Sequence, residues 1–292
     1  MYTKVIYDLG NVKEIQKYIP GNYGAPGCPR EKKRKRTPEE IQKQNQRNKI
    51  RKVQRLILKN FTEGDLHLVL TYKKELRPES IEEANKQRAK FFTDLRRVYK
   101  RAGPELKYIA ATEKGSKGAV HHHIIINNPE GINLTRTIQK IWPYGQQYTT
   151  PLYEEGEYED LAAYLVKDET KEEVTGTSYT RSRNLIIPEP QREKIFHRRW
   201  KEEPQIPKGW ELIKGTLQNG LNPVTGHPYQ HYMIRRTYES KYLCISDHKR
   251  PKKAAGVRNR SSGSGDRKRT GNKNGANAGR RLREWCESQG LK

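Results

Sequence analysis

Runs of hydrophobic residues at two different periods predict where this chain forms strands and helices. Residues 66–72 are almost continuously apolar and predict a buried strand, and residues 107–113 predict a second one. Three histidines followed by three isoleucines, in residues 121–126, predict a third strand, because β-branched residues favour strands. The Gly/Lys turn at 115–118 joins the second and third strands into a hairpin.

Helical periodicity marks four further segments, which we predict as helices: 37–60, 80–103, 134–141 and 158–171. The first begins with a capping box, since Thr37 can cap the helix and Glu40 stands three residues later. Lysine and arginine occupy most of its faces and leave only a narrow apolar stripe. We therefore predict a basic helix that docks through its last two turns.

This order of elements predicts an α+β fold, with a mostly antiparallel sheet flanked by helices. Residues 1–36 are interrupted by Pro and Gly and end in a basic run, so we predict an irregular basic segment there. The basic helix at 37–60 follows, and residues 61–245 are predicted as one folded domain. From 246 to 292 the Gly, Ser, Asn, Arg and Lys composition predicts a basic, mostly disordered tail.

Positive charge is concentrated in two segments that flank the predicted domain. The formal net charge of the 292 residues is +25; residues 30–59 carry 13 Lys and Arg against 3 Asp and Glu, and residues 249–292 carry 14 against 3. Such arms are typical of nucleic-acid binding, with a merely solubilising charge as the alternative.

Composition also argues against several classes of protein. No apolar run approaches the roughly 20 residues that a membrane-spanning helix needs, and we expect no signal peptide. The three cysteines, Cys28, Cys244 and Cys286, lie far apart, which argues against a disulfide framework or a zinc finger and favours a reduced, cytoplasmic protein. The P-loop motif is absent, so we expect no ATP-driven motor in this chain.

The histidine strand carries a candidate metal site. Side chains alternate along a strand, so His121 and His123 share one face and His122 points to the other. Glu113 stands near the end of the facing strand, and we expect it to share the face of His121 and His123. Two imidazoles and a carboxylate suit Mn²⁺ or Mg²⁺, and Zn²⁺ or Co²⁺ would also fit. The alternative is a set of structural histidines beside a solvated carboxylate.

A tyrosine on the fourth predicted helix is a candidate nucleophile. Tyr164 and Lys167 stand three residues apart and share a helical face. A phenol has a reference pKa of about 10 and attacks a phosphodiester only when a nearby cation stabilises its phenolate. The alternative is an ordinary packed tyrosine, and Tyr153, Tyr158 and Tyr179 are other candidates for the same role.

Together these residues resemble the three ordered motifs of the HUH endonucleases. The resemblance is greatest to the replication-associated proteins that initiate rolling-circle replication of bacterial plasmids, phages and integrative elements. It spans roughly residues 66–190. The residues that carry it are 68–72, Glu113, 121–126, 164–167 and, more weakly, the later run 182–188. The sequence departs from the pattern at the middle position of the histidine motif, which is normally hydrophobic and here is His122.

The resemblance implies a ferredoxin- or RRM-like sheet and a definite mechanism. His121, His123 and Glu113 would hold a divalent metal, Mn²⁺ or Mg²⁺. Tyr164 would attack the scissile phosphate and form a 5′-phosphotyrosine, and Lys167 would orient the phosphate or stabilise its charge. His122 would either pack on the far face or offer a spare ligand.

The same resemblance implies DNA partners. Single-stranded or hairpin origin DNA is the expected substrate, with a host helicase and polymerase as further partners and a homodimer left open. The expected DNA-binding residues lie on the basic helix, at the end of the first strand and in a later loop: Lys49, Arg51, Lys52, Arg55, Thr71, Tyr72, Arg181 and Arg183. The alternatives are a conjugative relaxase or one-tyrosine transposase, and a non-catalytic basic nucleic-acid-binding protein.

Overall fold

The computed structural model describes residues 1–20, 35–115, 118–153, 158–166, 179–222 and 225–237. Within these ranges no helix is long and apolar enough to cross a membrane. The helices are α1 (Pro38–Asn60), α2 (Ile81–Ala102), α3 (Leu134–Ile141) and α4 (Glu159–Leu165). The strands are β1 (Tyr2–Asp8), β2 (Val12–Tyr18), β3 (Leu66–Leu70), β4 (Tyr108–Lys114), β5 (Val120–Ile126), β6 (Gln147–Pro151), β7 (Thr180–Arg181), β8 (Pro190–Ile195), β9 (Trp210–Leu212), β10 (Gln218–Leu221) and β11 (Pro228–Arg236).

The chain divides into two compact units. The first unit combines Met1–Arg36 with Glu189–Lys273, and the second combines Thr37–Pro188 with Asn274–Lys292. The first therefore contains β1, β2 and β8 to β11, whereas the second contains the four helices and β3 to β7.

The second unit is built on a five-stranded antiparallel sheet in the order β6-β3-β5-β4-β7. The histidine strand β5 is its central strand. Because side chains alternate, one face of β3 and β5 is aliphatic and packs against α2 and α3: Leu66, Leu68, Leu70, Ile124 and Ile126. These residues are at most 8% exposed and form the larger core of this unit.

Helices α1 and α4 cover part of the opposite face of the same sheet. Val53, Leu56 and Ile57 near the end of α1 pack with Ile109 and Ile125. The predicted capping box at the start of α1 is confirmed, with Thr37 and Glu40 bonding each other's backbone N–H groups. The predicted docking of this basic helix through its last turns is confirmed as well, because its buried residues begin at Val53.

The first unit is a six-stranded antiparallel sheet in the order β10-β11-β2-β1-β8, with β9 pairing β11. Ile15, Tyr232 and Ile234 form a small core on one of its faces, against the half-buried Trp210 and Leu212. The edge strand β8 is mostly exposed and carries charged side chains, which discourages pairing with another chain.

The α+β prediction, with antiparallel sheets flanked by helices, is confirmed. The prediction of an irregular segment at residues 1–36 is wrong, since β1 and β2 form a hairpin there whose turn contains Gly10 at φ +94°. Each of these strands finds its other partner near the far end of the described chain, in β8 and β11. A pattern read locally cannot reveal such pairing.

The single predicted domain at 61–245 is also wrong, because residues from Glu189 onward join the N-terminal strands in a separate unit. The predicted helix at 37–60 agrees with α1 to within a residue. The predicted tail at 246–292 lies outside the described residues.

Candidate functional site

The hairpin of β4 and β5 brings together three residues that the sequence singled out. Glu113 pairs with His121 in the strand register, and Ala111 pairs with His123. Paired residues on neighbouring antiparallel strands point to the same side of the sheet, so Glu113, His121 and His123 share one face. It is the face that α1 and α4 cover, and the predicted co-facing is therefore present.

Two distances define the centre of this cluster. Glu113 Oε2 lies 3.3 Å from His123 Nε2, and both side chains are largely buried. The ring of Tyr164 lies 4.9 Å from the ring of His123, centroid to centroid, with the two planes tilted by 52°. Helix α4 sets this approach because Ala162 and Leu165 anchor it in the core beside the sheet. The candidate nucleophile and the candidate ligands thus lie next to each other.

A third imidazole, which the sequence did not single out, lies on the same face. His67 of β3 pairs with Ile125, one pleat beyond His123. Its ring stacks on that of His123 with a centroid distance of 5.7 Å and an interplanar angle of 17°, and it is 4% exposed. The alternation of β3 does place His67 on the face opposite Leu66 and Leu68. Its nearness to His123 depends on β3 being the neighbour of β5, which no local pattern states.

The imidazoles of this face retain nitrogen atoms without hydrogen bonds. His67 Nε2, His121 Nδ1 and both ring nitrogens of His123 are buried and have no hydrogen-bond partner among the described residues. The contact of His123 with Glu113 is close enough for an ion pair, but it is not aligned as a hydrogen bond. Most buried polar atoms in proteins are bonded, so such a concentration needs an explanation.

Two histidines of this face, His67 and His121, are neutral at physiological pH. Burial, followed by the nearby His123, lowers the pKa of His67 to about 3. Burial and then His123 lower the pKa of His121 to about 4, against the opposing effect of Glu113. A neutral imidazole is the form that binds metal ions.

The donor set therefore fits a divalent ion, but the donors do not converge. Three imidazoles and one carboxylate are ligands that borderline and hard divalent cations accept. In the described ranges, however, no three His, Cys, Asp or Glu side chains come close enough to hold a metal ion as they stand. Binding through Glu113, His121 and His123 would require their side chains to rotate.

His122 lies on the other face and is fully hydrogen-bonded. Its Nε2 is 2.8 Å from Tyr72 Oη, its Nδ1 is 2.9 Å from Thr112 Oγ1, and it is 0% exposed. The Thr112 hydroxyl donates to Asn85 and accepts from Arg88. That hydroxyl has one proton, so His122 Nδ1–H donates to it and Tyr72 Oη–H donates to Nε2. Both nitrogens are used in the core, and His122 is not a spare ligand in this arrangement.

The comparison with known families adds one finding to this geometry. Residues 65–173 match the family model of the replication-associated protein ORF2/gene 2 protein. The matched region is that of a replication initiator. It runs from the residue before β3 to beyond Tyr164, and so contains the whole cluster. The match confirms the resemblance and supports a role in the initiation of DNA replication, which implies DNA binding. Neither a curated protein nor a solved structure matches the chain.

Two predicted DNA-binding residues in the initiator region do not face solvent in a way that suits that role. Tyr72 is 8% exposed, its ring packs edge-on to Trp142, and burial raises its pKa. Its prediction as a base-stacking residue is wrong, since a ring inside the core cannot receive a base. Thr71 uses its hydroxyl locally, donating to the carbonyl of Gln146 and accepting from the N–H of the same residue.

The remaining predicted DNA-binding residues are more accessible. Lys49 and Lys52 are exposed on α1, whereas Arg51 and Arg55 are half-buried, and Arg181 and Arg183 are exposed at the β7 edge of the five-stranded sheet. Helix α1 runs beside α4, and the side-chain amide of Gln46 donates to the carbonyl of Val166 at 3.1 Å. The basic helix thus borders the helix of Tyr164. The predicted Lys167 lies outside the described residues.

Proposed function

We propose that this protein initiates rolling-circle replication by nicking and rejoining single-stranded origin DNA through a 5′-phosphotyrosine. One observation carries the proposal: the ring of Tyr164 lies 4.9 Å from that of His123, within a cluster of buried imidazoles and a carboxylate. The cluster falls inside the region that matches a replication initiator family, which supports the assignment.

The proposed metal ligands are Glu113, His121 and His123. Their shared face, and the buried nitrogens of His121 and His123 that have no hydrogen-bond partner among the described residues, support this choice. When bound, Mn²⁺ or Mg²⁺ would polarise the scissile phosphate. His67 stacks on His123, so we assign it a positioning role that keeps the His123 ring aligned.

Tyr164 is the proposed nucleophile. Its phenolic oxygen would lose its proton and form a bond to phosphorus, and the bond from phosphorus to the 3′ oxygen would break. The departing oxygen would take up a proton and become a free 3′-hydroxyl that can prime synthesis. Rejoining is the reverse attack by a 3′-hydroxyl on the phosphotyrosine. Lys167 remains the proposed residue that stabilises the charge on the phosphate.

The proposed path of the DNA follows the charge near this cluster. Lys49, Lys52, Arg51 and Arg55 lie on the helix that borders α4, and they would hold phosphates beside Tyr164.

The test is the formation of a covalent protein–DNA adduct. Wild-type protein is incubated with a single-stranded origin oligonucleotide and Mn²⁺, and the products are separated in denaturant. We expect an adduct with wild type and none with Tyr164→Phe. Tyr153→Phe is the matched control, because Tyr153 is an exposed neighbour that sequence alone left as a candidate. An adduct of equal yield from Tyr164→Phe contradicts the assignment.

A non-catalytic DNA-binding protein is the second candidate, and one observation favours it. No three potential ligands among the described residues converge as a metal requires. This candidate predicts binding to the origin oligonucleotide but no denaturant-resistant adduct, with Mn²⁺ or with Mg²⁺.

A further inference from the structure

The loop that follows β8 in the first unit presents an aromatic ring to solvent among positive charges. Phe196 is 84% exposed, the most exposed large hydrophobic side chain among the described residues. Residues 194–201 contain four Lys and Arg and no Asp or Glu. Lys194, His197, Arg198 and Arg199 are all exposed beside Phe196. A lone exposed hydrophobic residue is ordinary, but one inside a cluster of cations is not.

The base of this loop is attached to the sheet at both ends. On one side Ile195, the last residue of β8, pairs with Tyr2 of β1. On the other side Trp200 packs edge-on against Tyr2, with a centroid distance of 5.0 Å. The amide of Gln230 then donates to the carbonyls of Lys201 and Glu202, at 3.0 and 2.8 Å. The loop is therefore held while residues 196–199 project from it.

A buried polar pair supports the anchor on that side. Lys17 Nζ donates to Gln230 Oε1 at 2.9 Å, and the two residues are only 9% and 1% exposed. Burial, and then the charge of Lys4, lowers the pKa of Lys17. Burying a lysine is costly, and here the lysine orients the amide that holds the loop. A surface fixed before binding loses less conformational entropy when a ligand arrives.

The charges next to the loop leave its positive character intact. Glu193 lies just before it and pairs with Lys4, whose Nζ is 3.4 Å from Glu193 Oε2. Glu202 and Glu203 follow the loop and lie beyond Trp200. The exposed part at 196–199 thus carries two arginines and a histidine with no carboxylate between them.

We propose that residues 194–201 form a second single-stranded DNA site, separate from the Tyr164 cluster, in which Phe196 stacks on an unpaired base. Lys194, Arg198 and Arg199 neutralise the phosphates on either side of that base. Cations interleaved with an exposed aromatic ring are what sequence-tolerant single-strand binding requires. The identity of the polyanion as DNA rests on the proposed function, but the site does not depend on the nicking chemistry.

The test is DNA binding by full-length protein that carries Tyr164→Phe, so that cleavage cannot interfere. Fluorescence anisotropy is followed with a labelled oligothymidine. Stacking of one base is worth about 1–3 kcal/mol, so Phe196→Ala is expected to weaken binding about 5- to 150-fold. Phe196→Trp should retain the affinity, and its indole emission should be quenched by the DNA. Ile186→Ala, which truncates another exposed hydrophobic side chain, is the control and should change nothing.

Two further measurements separate stacking from charge. Changing both Arg198 and Arg199 to Gln should reduce the slope of log K against log salt by about 1.4, because each single-strand phosphate contact contributes about 0.7. Phe196→Ala should leave that slope unchanged and should weaken binding to duplex DNA little. Equal loss on single strands and duplex, or no loss on either, would overturn the proposal.

The remaining outcomes are also decisive. Binding of the loop to vesicles of anionic lipid, with no effect of Phe196→Ala on oligothymidine, would assign the loop to a membrane and refute a DNA site. The adduct assay and this assay can fail separately. Loss of affinity in Phe196→Ala without any adduct in the wild type would retain the loop and reject the nicking chemistry.

Discussion

The two faces of strand β5 carry the same side chain in opposite situations. On the face toward α2, His122 has both ring nitrogens bonded, to Tyr72 and to Thr112. On the face toward α1 and α4, His121 and His123 keep buried nitrogens that have no hydrogen-bond partner in the described part of the chain. A buried polar atom left unbonded costs about 1–3 kcal/mol. The first face is therefore built for stability, and the second retains donors for a ligand.

This difference means that the three consecutive histidines are not one functional unit. Their alternation divides them, and each side is completed by other strands. His67 on β3 joins the ligand face, whereas Thr112 on β4 joins the bonded face. Variants at the two faces should consequently lose different properties, activity on one and stability on the other.

The largest effect is expected for the proposed ligands. His121→Ala and His123→Ala should each reduce nicking by at least about 100-fold, because a bound metal supplies several kcal/mol of transition-state stabilisation. Nicking rates on a labelled origin oligonucleotide measure the loss, and circular dichroism checks that the fold is retained. Full activity in either variant would remove the distinction between the two faces.

A smaller effect is expected at His67, which contacts a proposed ligand. His67→Leu should weaken Mn²⁺ binding about 10- to 100-fold, as loss of a residue that orients a ligand usually does. Titration calorimetry with Mn²⁺ alone measures it without reference to nicking. His122→Leu is the matched control and should change Mn²⁺ affinity less. If His122→Leu weakens binding more than His67→Leu, the faces have been assigned the wrong way round.

The same pair of variants should show the reverse order in stability. His122→Leu leaves Tyr72 Oη without its bond and should lower the free energy of unfolding by about 1–3 kcal/mol. His67→Leu removes a buried nitrogen, Nε2, that makes no hydrogen bond within the described residues, so stability should be unchanged or slightly higher. Urea unfolding of the metal-free proteins measures both. Equal destabilisation would mean that His67 is as structural as His122.

The smallest effect is expected at the edge of the sheet. Arg181→Gln together with Arg183→Gln should weaken single-strand binding a few-fold and reduce the salt slope by about 1.4. Arg97→Gln on α2 is the control, because Arg97 is exposed on the opposite side of the sheet and pairs with Asp94. A slope that is unchanged in the double variant removes these arginines from the DNA path.

Local pattern was sufficient for part of this arrangement. The hairpin of β4 and β5 is short-range, so its turn, its two strands and the separation of His122 from its neighbours follow from alternation alone. Tyr72 could also have been placed correctly. It continues the parity of Leu68 and Leu70, which marks the aliphatic face, but its position after a strand suggested an exposed residue instead.

Strand order was beyond the reach of local pattern. His67 became part of the cluster only because β3 lies beside β5, although α2 and β4 come between these strands along the chain. The hairpin of β1 and β2 was missed because β8 and β11 complete its sheet from a distant part of the chain. The distance between Tyr164 and His123 likewise depends on how α4 packs, which spacing along the chain does not determine.

The central claim is that Tyr164 attacks DNA from beside the ligand face of β5. Mass spectrometric mapping of the DNA-linked peptide, after reaction of the wild-type protein with an origin oligonucleotide and Mn²⁺, tests it most directly. We predict a nucleotide joined to Tyr164 through its 5′-phosphate. A nucleotide attached to any other residue, or an origin that is nicked with no attached nucleotide, would contradict the claim.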